Sequence, residues 1–119
     1  MLYTEFEVGD KALKLRITTR ACVELEKKMG RNPVSAFIAI SDGMLPTLSD
    51  VISILHAALQ PLEHGYTEAA VYALYDEYVD EGHNLYDLIP VLLEVFKTSG
   101  LIPEVPEDGD TRPNAKAGT

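Results

Sequence analysis

Apolar and polar residues alternate in two short segments near the start of the chain, residues 2–8 and residues 11–17. Alternation with a period of two is typical of a β-strand that buries one face. Gly9-Asp10, between the two segments, fits a tight turn because glycine adopts positive φ at low cost. The pattern therefore predicts a hairpin over residues 2–17. Its apolar face must pack on the rest of the chain, since an isolated hairpin is marginal in water.

Beyond this hairpin, apolar residues recur every three or four positions, a spacing typical of helices with one buried face. Capping residues and prolines mark the helix starts, and glycines or prolines mark the stops. The buried stripes are expected to include Ile38 in a short second helix and Leu48 at the start of the third. Pro90 is expected to bend the last helix. The predicted starts are Thr18 or Thr19, Asn32-Pro33, Thr47, Gly65-Tyr66-Thr67 and Asn84, and the predicted stops are Gly30, Asp42-Gly43, Pro61 and Gly82, with the last helix ending near residue 100.

These elements predict an α+β fold that is mostly helical, with an N-terminal β-hairpin followed by about five helices, one of them short. A chain of 119 residues is enough for one domain with a single core. We therefore assign residues 1–102 to one globular domain, in which the helices occupy about residues 19–100. Residues 103–119 have no apolar pattern and are rich in proline, glycine and charge, so they are predicted to form a flexible tail.

Several absences in the sequence point to the cytoplasm. The first residues lack a basic stretch followed by an apolar one, so they do not resemble a signal peptide. No apolar run approaches the roughly 18–20 residues that span a bilayer. The single cysteine, Cys22, provides no disulfide framework. We expect a cytoplasmic protein.

The net charge of −9 is distributed unevenly along the chain. Residues 1–31 carry a net charge of +2, whereas residues 32–96 contain ten acidic residues and no Lys or Arg. Nucleic-acid binding is disfavoured, because phosphate contacts need clustered Lys and Arg. An acidic surface of this kind either confers solubility or steers encounters with a basic partner.

The predicted fourth helix carries the candidate partner-binding residues. Asp76, Glu77, Asp80 and Glu81 crowd its outer side, and Tyr72 falls off its apolar stripe. Exposed tyrosines are favoured at protein interfaces because they combine contact area with a polar handle. The carboxylates fit a solvated face, a docking surface for a basic partner or a cation site, and the sequence leaves these alternatives open.

No catalytic, cofactor or metal constellation emerges from the sequence. Cys22 lies on an apolar stripe, where a cysteine usually acts as a small hydrophobic residue. The three histidines, His56, His64 and His83, do not have the spacing of a metal site. Glycines occur singly as turn and stop signals and do not form a phosphate-binding loop. We therefore expect no catalytic residue, no bound cofactor and no metal ligand.

Three segments give the sequence a resemblance to a known family. They are LKLRITTRACVELEKKMG at residues 13–30, TLSDVISILHAAL at residues 47–59 and the helix containing YDEY at residues 75–78. Within them, Thr19-x-Ala21-x-x-Glu24-Leu25-Glu26-x-x-x-Gly30 and Ser49-Asp50-Val51 are the most telling patterns. Over residues 5–100 the chain resembles the small tail assembly chaperones of long-tailed bacteriophages and prophages, including related proteins of gene transfer agents.

The resemblance implies a non-enzymatic role inside the bacterial host cell. Such proteins bind the aggregation-prone tape measure protein, help to recruit tail tube subunits and are absent from the mature virion. The acidic residues 32–96 are then expected to face the partner or solvent, and the edge of the hairpin to mediate self-association by strand addition. Neither a nucleic acid nor a membrane is an expected partner.

Three other classes of protein compete with this interpretation. A structural tail or head–tail connector component of the virion is the main alternative, although tube proteins are mostly β and this chain offers one hairpin. A small enzyme would need a nucleophile, for which Cys22 is the sole cysteine candidate. A helical transcription regulator would need a basic recognition helix, which the sequence does not contain.

Overall fold

The computed structural model describes residues 2–102, apart from the side chains of residues 39 and 41. It confirms the predicted fold class, α+β and mostly helical, with a hairpin at the N-terminus. The predicted tail, residues 103–119, lies outside the described residues. The elements are the strands β1 (Thr4–Val8) and β2 (Lys11–Leu15), the helices α1 (Thr19–Met29), α2 (Ser35–Ile38), α3 (Leu48–Leu59), α4 (Glu68–Asp80) and α5 (Leu85–Thr98), and a 3-10 helix (Ala39–Asp42) that follows α2.

The hairpin forms where the alternation predicts it. Val8 pairs with Lys11 across the turn, and Gly9 adopts a φ of +62°, a conformation that costs other residues free energy. One face of the two strands is buried against the helices, as the apolar alternation requires. This buried face consists of Phe6, Val8, Leu13 and Leu15.

Side-chain caps start the four long helices at the predicted residues. The hydroxyls of Thr18, Thr47 and Thr67 accept hydrogen bonds from backbone N–H groups three residues later, at 3.1–3.2 Å. Asn84 and Asp87 form a reciprocal capping box at the start of α5, with bonds of 3.0 and 3.2 Å. Each cap satisfies a backbone donor that the helix itself leaves without a partner, and so fixes where the helix begins.

Helix α3 lies at the centre of the fold and packs against α1, α4, α5 and β2. Its side chains from residue 51 to residue 55 are all buried, together with Ala58 and Leu59. Two aromatic pairs join distant elements to this core. Phe37 meets Phe96 edge-on at 5.4 Å between ring centroids, and Phe6 packs on Tyr78 at 5.1 Å. The hairpin and the helices therefore share one hydrophobic core.

Two residues assigned to buried stripes by their spacing are exposed. Ile38 is 65% exposed, because α2 is a single turn whose buried side is already occupied by Ala36 and Phe37. Leu48 is 50% exposed as the first residue of α3, whereas Pro46, two residues earlier, is buried. The periodicity was therefore wrong at these two positions, both next to breaks in the helical pattern.

Candidate partner-binding surfaces

Helix α4 presents a row of exposed polar side chains opposite its buried face. Val71, Leu74 and Tyr78 are buried in the core. Tyr72 is 55% exposed, and Asp76 and Asp80 follow it at spacings of four residues. Residues four apart lie on the same side of a helix, so these three form one accessible row. Like-charged carboxylates at this spacing repel each other slightly, a cost that a basic partner would relieve.

The other two predicted residues of α4, Glu77 and Glu81, lie against the turn of the hairpin. The Lys11 ammonium donates to both carboxylate oxygens of Glu77, at 2.9 and 3.0 Å. A Cβ atom placed on Gly9 would lie 3.0 Å from an oxygen of each glutamate. The hydrogen bond that Lys11 donates to Glu77 raises the pKa of Lys11. Glu77 therefore helps to hold the hairpin on α4 and Glu81 lies beside the turn, which leaves the row at residues 72, 76 and 80 as the open part of the predicted surface.

Ion pairs between the basic first part of the chain and its acidic middle recur across the fold. Lys11 pairs with Glu77, Lys28 pairs with Glu68 on α4 at 3.3 Å, and Arg31 pairs with Asp50 on α3. Each pair joins a base from residues 1–31 to an acid from residues 32–96. Part of the charge asymmetry seen in the sequence is therefore neutralised within the domain, and less of it faces a partner than the sequence suggested.

A second candidate surface, which sequence analysis missed, lies between α2 and α3. We call it the apolar segment and define it as residues 38–48. Four of its large apolar side chains are exposed: Ile38 at 65%, Met44 at 64%, Leu45 at 46% and Leu48 at 50%. The sequence did hold a signal for it, since Gly43-Met44-Leu45-Pro46 places two large apolar residues between helix-breaking ones. Apolar side chains that no helix can bury are candidates for contact with another molecule.

The two edges of the hairpin differ in their freedom to accept another strand. On β2, the Lys14 N–H donates to a carboxylate oxygen of Glu63 and the Arg16 N–H to the carbonyl oxygen of Ala58, both at 2.9 Å. These bonds occupy the outward edge of β2 with groups from α3 and the segment after it. Strand addition, predicted from the sequence, is therefore restricted to the edge formed by β1.

Comparison with known proteins places the chain in a family. It matches a family of unknown function (DUF6096) over residues 3–115. The chain belongs to this family. No curated protein and no solved structure matches it.

Two of the residues that sequence analysis weighed for chemistry, Cys22 and His83, occupy structural positions in this family member. Burial raises the pKa of the Cys22 thiol, with a smaller contribution from the Glu26 carboxylate, and a buried protonated thiol is a weak nucleophile. The His83 ring stacks on Tyr78 at 4.4 Å, and its Nδ1 lies 3.5 Å from Asp87. Residues 2–102 contain no group of three or more His, Cys, Asp or Glu arranged to hold a metal ion. None of the described helices is long and apolar enough to cross a membrane.

Proposed function

We propose that this protein is a non-enzymatic tail assembly chaperone of a long-tailed bacteriophage or prophage, which binds the tape measure protein and assists assembly of the tail tube. The observation that carries the proposal is the apolar segment, four exposed large side chains within residues 38–48 of an acidic chain. A chaperone for an aggregation-prone helical protein needs apolar surface to hold it and net charge to keep the complex soluble. The family resemblance in the sequence supports the same role.

The apolar segment binds the apolar stripes of the partner's helices in this proposal. Met44 suits such a site because an unbranched thioether side chain adapts to different surfaces. Its neighbour Leu45 lies just before Pro46, outside any helix, so both side chains are available to an approaching helix. The row of Tyr72, Asp76 and Asp80 supplies a hydrogen-bonding ring and negative charge for basic positions of the partner.

During tail assembly the protein would make two further contacts besides the one between its apolar segment and the tape measure protein. The edge of β1 is the place where two copies of the chain associate by strand addition. A bound tape measure protein presents the complex to tail tube subunits. The chaperone acts in the cytoplasm of the host cell and leaves before the virion is complete.

Co-expression with the tape measure protein tests the proposal. The soluble fraction of that protein should rise several-fold when this chain is present. Replacement of both Met44 and Leu45 by Ser should abolish the rise, because it removes apolar contact area. Val23→Ser is the matched control, since Val23 is 43% exposed but lies on α1. A tape measure protein that is equally soluble with and without this chain contradicts the proposal.

A structural component of the virion is the competing function. Mass spectrometry of purified particles separates the two, because a chaperone is absent from them and a tail or connector protein is present in fixed copy number. Detection of the chain at such a copy number would replace the chaperone proposal with the structural one.

A further inference from the structure

A cavity of about 340 Å³ lies between α1 and α3, away from both candidate surfaces. Its volume falls at the small end of the range for ligand pockets, roughly 300–1,000 Å³. Ala21 and Leu25 of α1 and Ala57 of α3 give it apolar walls. Cavities of this kind bind small molecules when a few polar groups fix the ligand's orientation, so the polar lining decides what could bind.

Ser53 supplies a buried polar group to this cavity. Ser53 is 7% exposed, and among the residues whose side chains the structure describes no other polar residue is buried. A serine inside a helix commonly donates its hydroxyl to the carbonyl four residues earlier, but no hydrogen bond of the Ser53 hydroxyl occurs within residues 2–102. A buried hydroxyl without a partner is unfavourable. The Ser53 hydroxyl therefore remains available to a molecule in the cavity.

Arg20 supplies a positive charge to the same cavity. Within residues 2–102 its guanidinium has no carboxylate partner, in contrast to Lys28, which also lines the cavity but pairs with Glu68. Arg20 lies in the first turn of α1, which contains no acidic residue, so the partial positive charge of the helix N-terminus adds to its own. This end of the cavity favours an anion.

Glu24, one turn further along α1, limits which anion can bind. Its carboxylate lines the cavity without an ion-pair partner among the described residues. A second negative charge on the ligand would be repelled by Glu24, whereas a single carboxylate needs only the contact with Arg20. Multiply charged anions such as phosphate or a dicarboxylate are therefore disfavoured.

We propose that this cavity binds a small organic monocarboxylate, with its carboxylate on the Arg20 guanidinium and the Ser53 hydroxyl and its apolar body over Ala21, Leu25 and Ala57. Arginine and a hydroxyl both donate to a carboxylate, and hydrogen bonds to an ionised acceptor are the stronger ones. Binding at this site does not depend on the chaperone function, because it uses neither the apolar segment nor the acidic row of α4.

Titration of the full chain with isobutyrate, followed by amide NMR shifts, tests the proposal. Saturable shifts should be confined to residues around 20–28 and 53–57. Isobutyramide, which has the same shape without the charge, should bind at least about tenfold more weakly. Inorganic phosphate and succinate should also bind more weakly than isobutyrate.

Two variants with matched controls assign the contacts. Arg20→Gln should weaken isobutyrate binding by about tenfold or more and Ser53→Ala by several-fold. Lys27→Gln removes a charge of α1 outside the cavity, and Ser49→Ala removes an exposed hydroxyl of α3, so both should bind as the unchanged protein does. The proposal is overturned if isobutyrate causes no saturable shifts, if isobutyramide or phosphate binds as well, or if Arg20→Gln binds unchanged.

Discussion

Replacement of Ser53 by Ala should stabilise the protein, although it removes a polar group that could form a hydrogen bond. Ser53 is 7% exposed, and its hydroxyl has no hydrogen-bond partner among the described residues. A buried hydroxyl without a partner costs roughly 1–3 kcal/mol. The adjoining cavity lets solvent approach, so we take the lower half of this range, about 1–2 kcal/mol.

Helix propensity adds a second term of the same sign. Alanine is favoured over serine inside a helix by up to about 0.5 kcal/mol, which brings the expected gain to roughly 1–2.5 kcal/mol. For a domain of this size a gain of that magnitude raises Tm by on the order of 10 °C. Urea titration and calorimetry at neutral pH measure the two quantities.

Ser49→Ala is the control, because Ser49 is exposed on the same helix. It gains the propensity term alone, at most about 0.5 kcal/mol. Equal effects of the two substitutions, or a loss of stability in Ser53→Ala, would mean that the Ser53 hydroxyl has a hydrogen-bond partner in the folded protein and would contradict this prediction. The gain in stability together with the loss of isobutyrate binding would mark Ser53 as a residue whose polar group serves binding at the expense of stability.

Three further predictions concern the hairpin turn, the core and the alkaline limit of stability. Gly9→Ala should lower the free energy of unfolding by more than Gly65→Ala does. Both positions have positive φ, which costs alanine about 1 kcal/mol. At Gly9 the added Cβ would also press on the carboxylates of Glu77 and Glu81 and disturb the ion pair between Glu77 and Lys11. Equal urea midpoints for the two variants would contradict the packing of the turn on α4. Phe96→Ala should lower the free energy of unfolding by about 3–5 kcal/mol, because Phe96 is fully buried and packs on Phe37. Tyr72→Ala should change it by no more than about 0.5 kcal/mol, because Tyr72 is exposed. Chemical denaturation measures both variants, and similar losses would contradict the placement of Tyr72 on the surface. Stability should be constant from pH 8 to about pH 9 and then fall, because burial raises the pKa of Cys22 above its ordinary value of 9.0 and that of Tyr78 above 10.0, so the unfolded chain loses these protons first. Unfolding free energies measured from pH 8 to pH 11 test this fall, which should begin about one pH unit later in Cys22→Ala; an unchanged onset would show that Cys22 does not contribute.

The sequence predicted the elements of the fold because their signals are local. Alternation around Gly9-Asp10 and the caps at Thr18, Thr47 and Asn84 each depend on residues within a few positions of one another, and the structure contains all of them.

What the sequence did not predict depends on contacts between distant segments. No residue near Glu77 in the sequence indicates that its carboxylate pairs with Lys11, 66 positions away. Ile38 fits an apolar stripe by spacing, but a one-turn helix has too little buried side to take it. The cavity between α1 and α3 requires the packing of two helices, so the unpaired hydroxyl of Ser53 could not be recognised from its position in α3 alone.

A photo-reactive amino acid at position 44 would report contact between the apolar segment and the tape measure protein, on which the proposed function depends. The same amino acid at position 23, where the apolar side chain of Val23 is 43% exposed on α1, provides the control. In cells that express both proteins, irradiation should crosslink the tape measure protein to position 44 and leave position 23 unreacted. A crosslink from position 23 alone, or none from either position, would contradict the account.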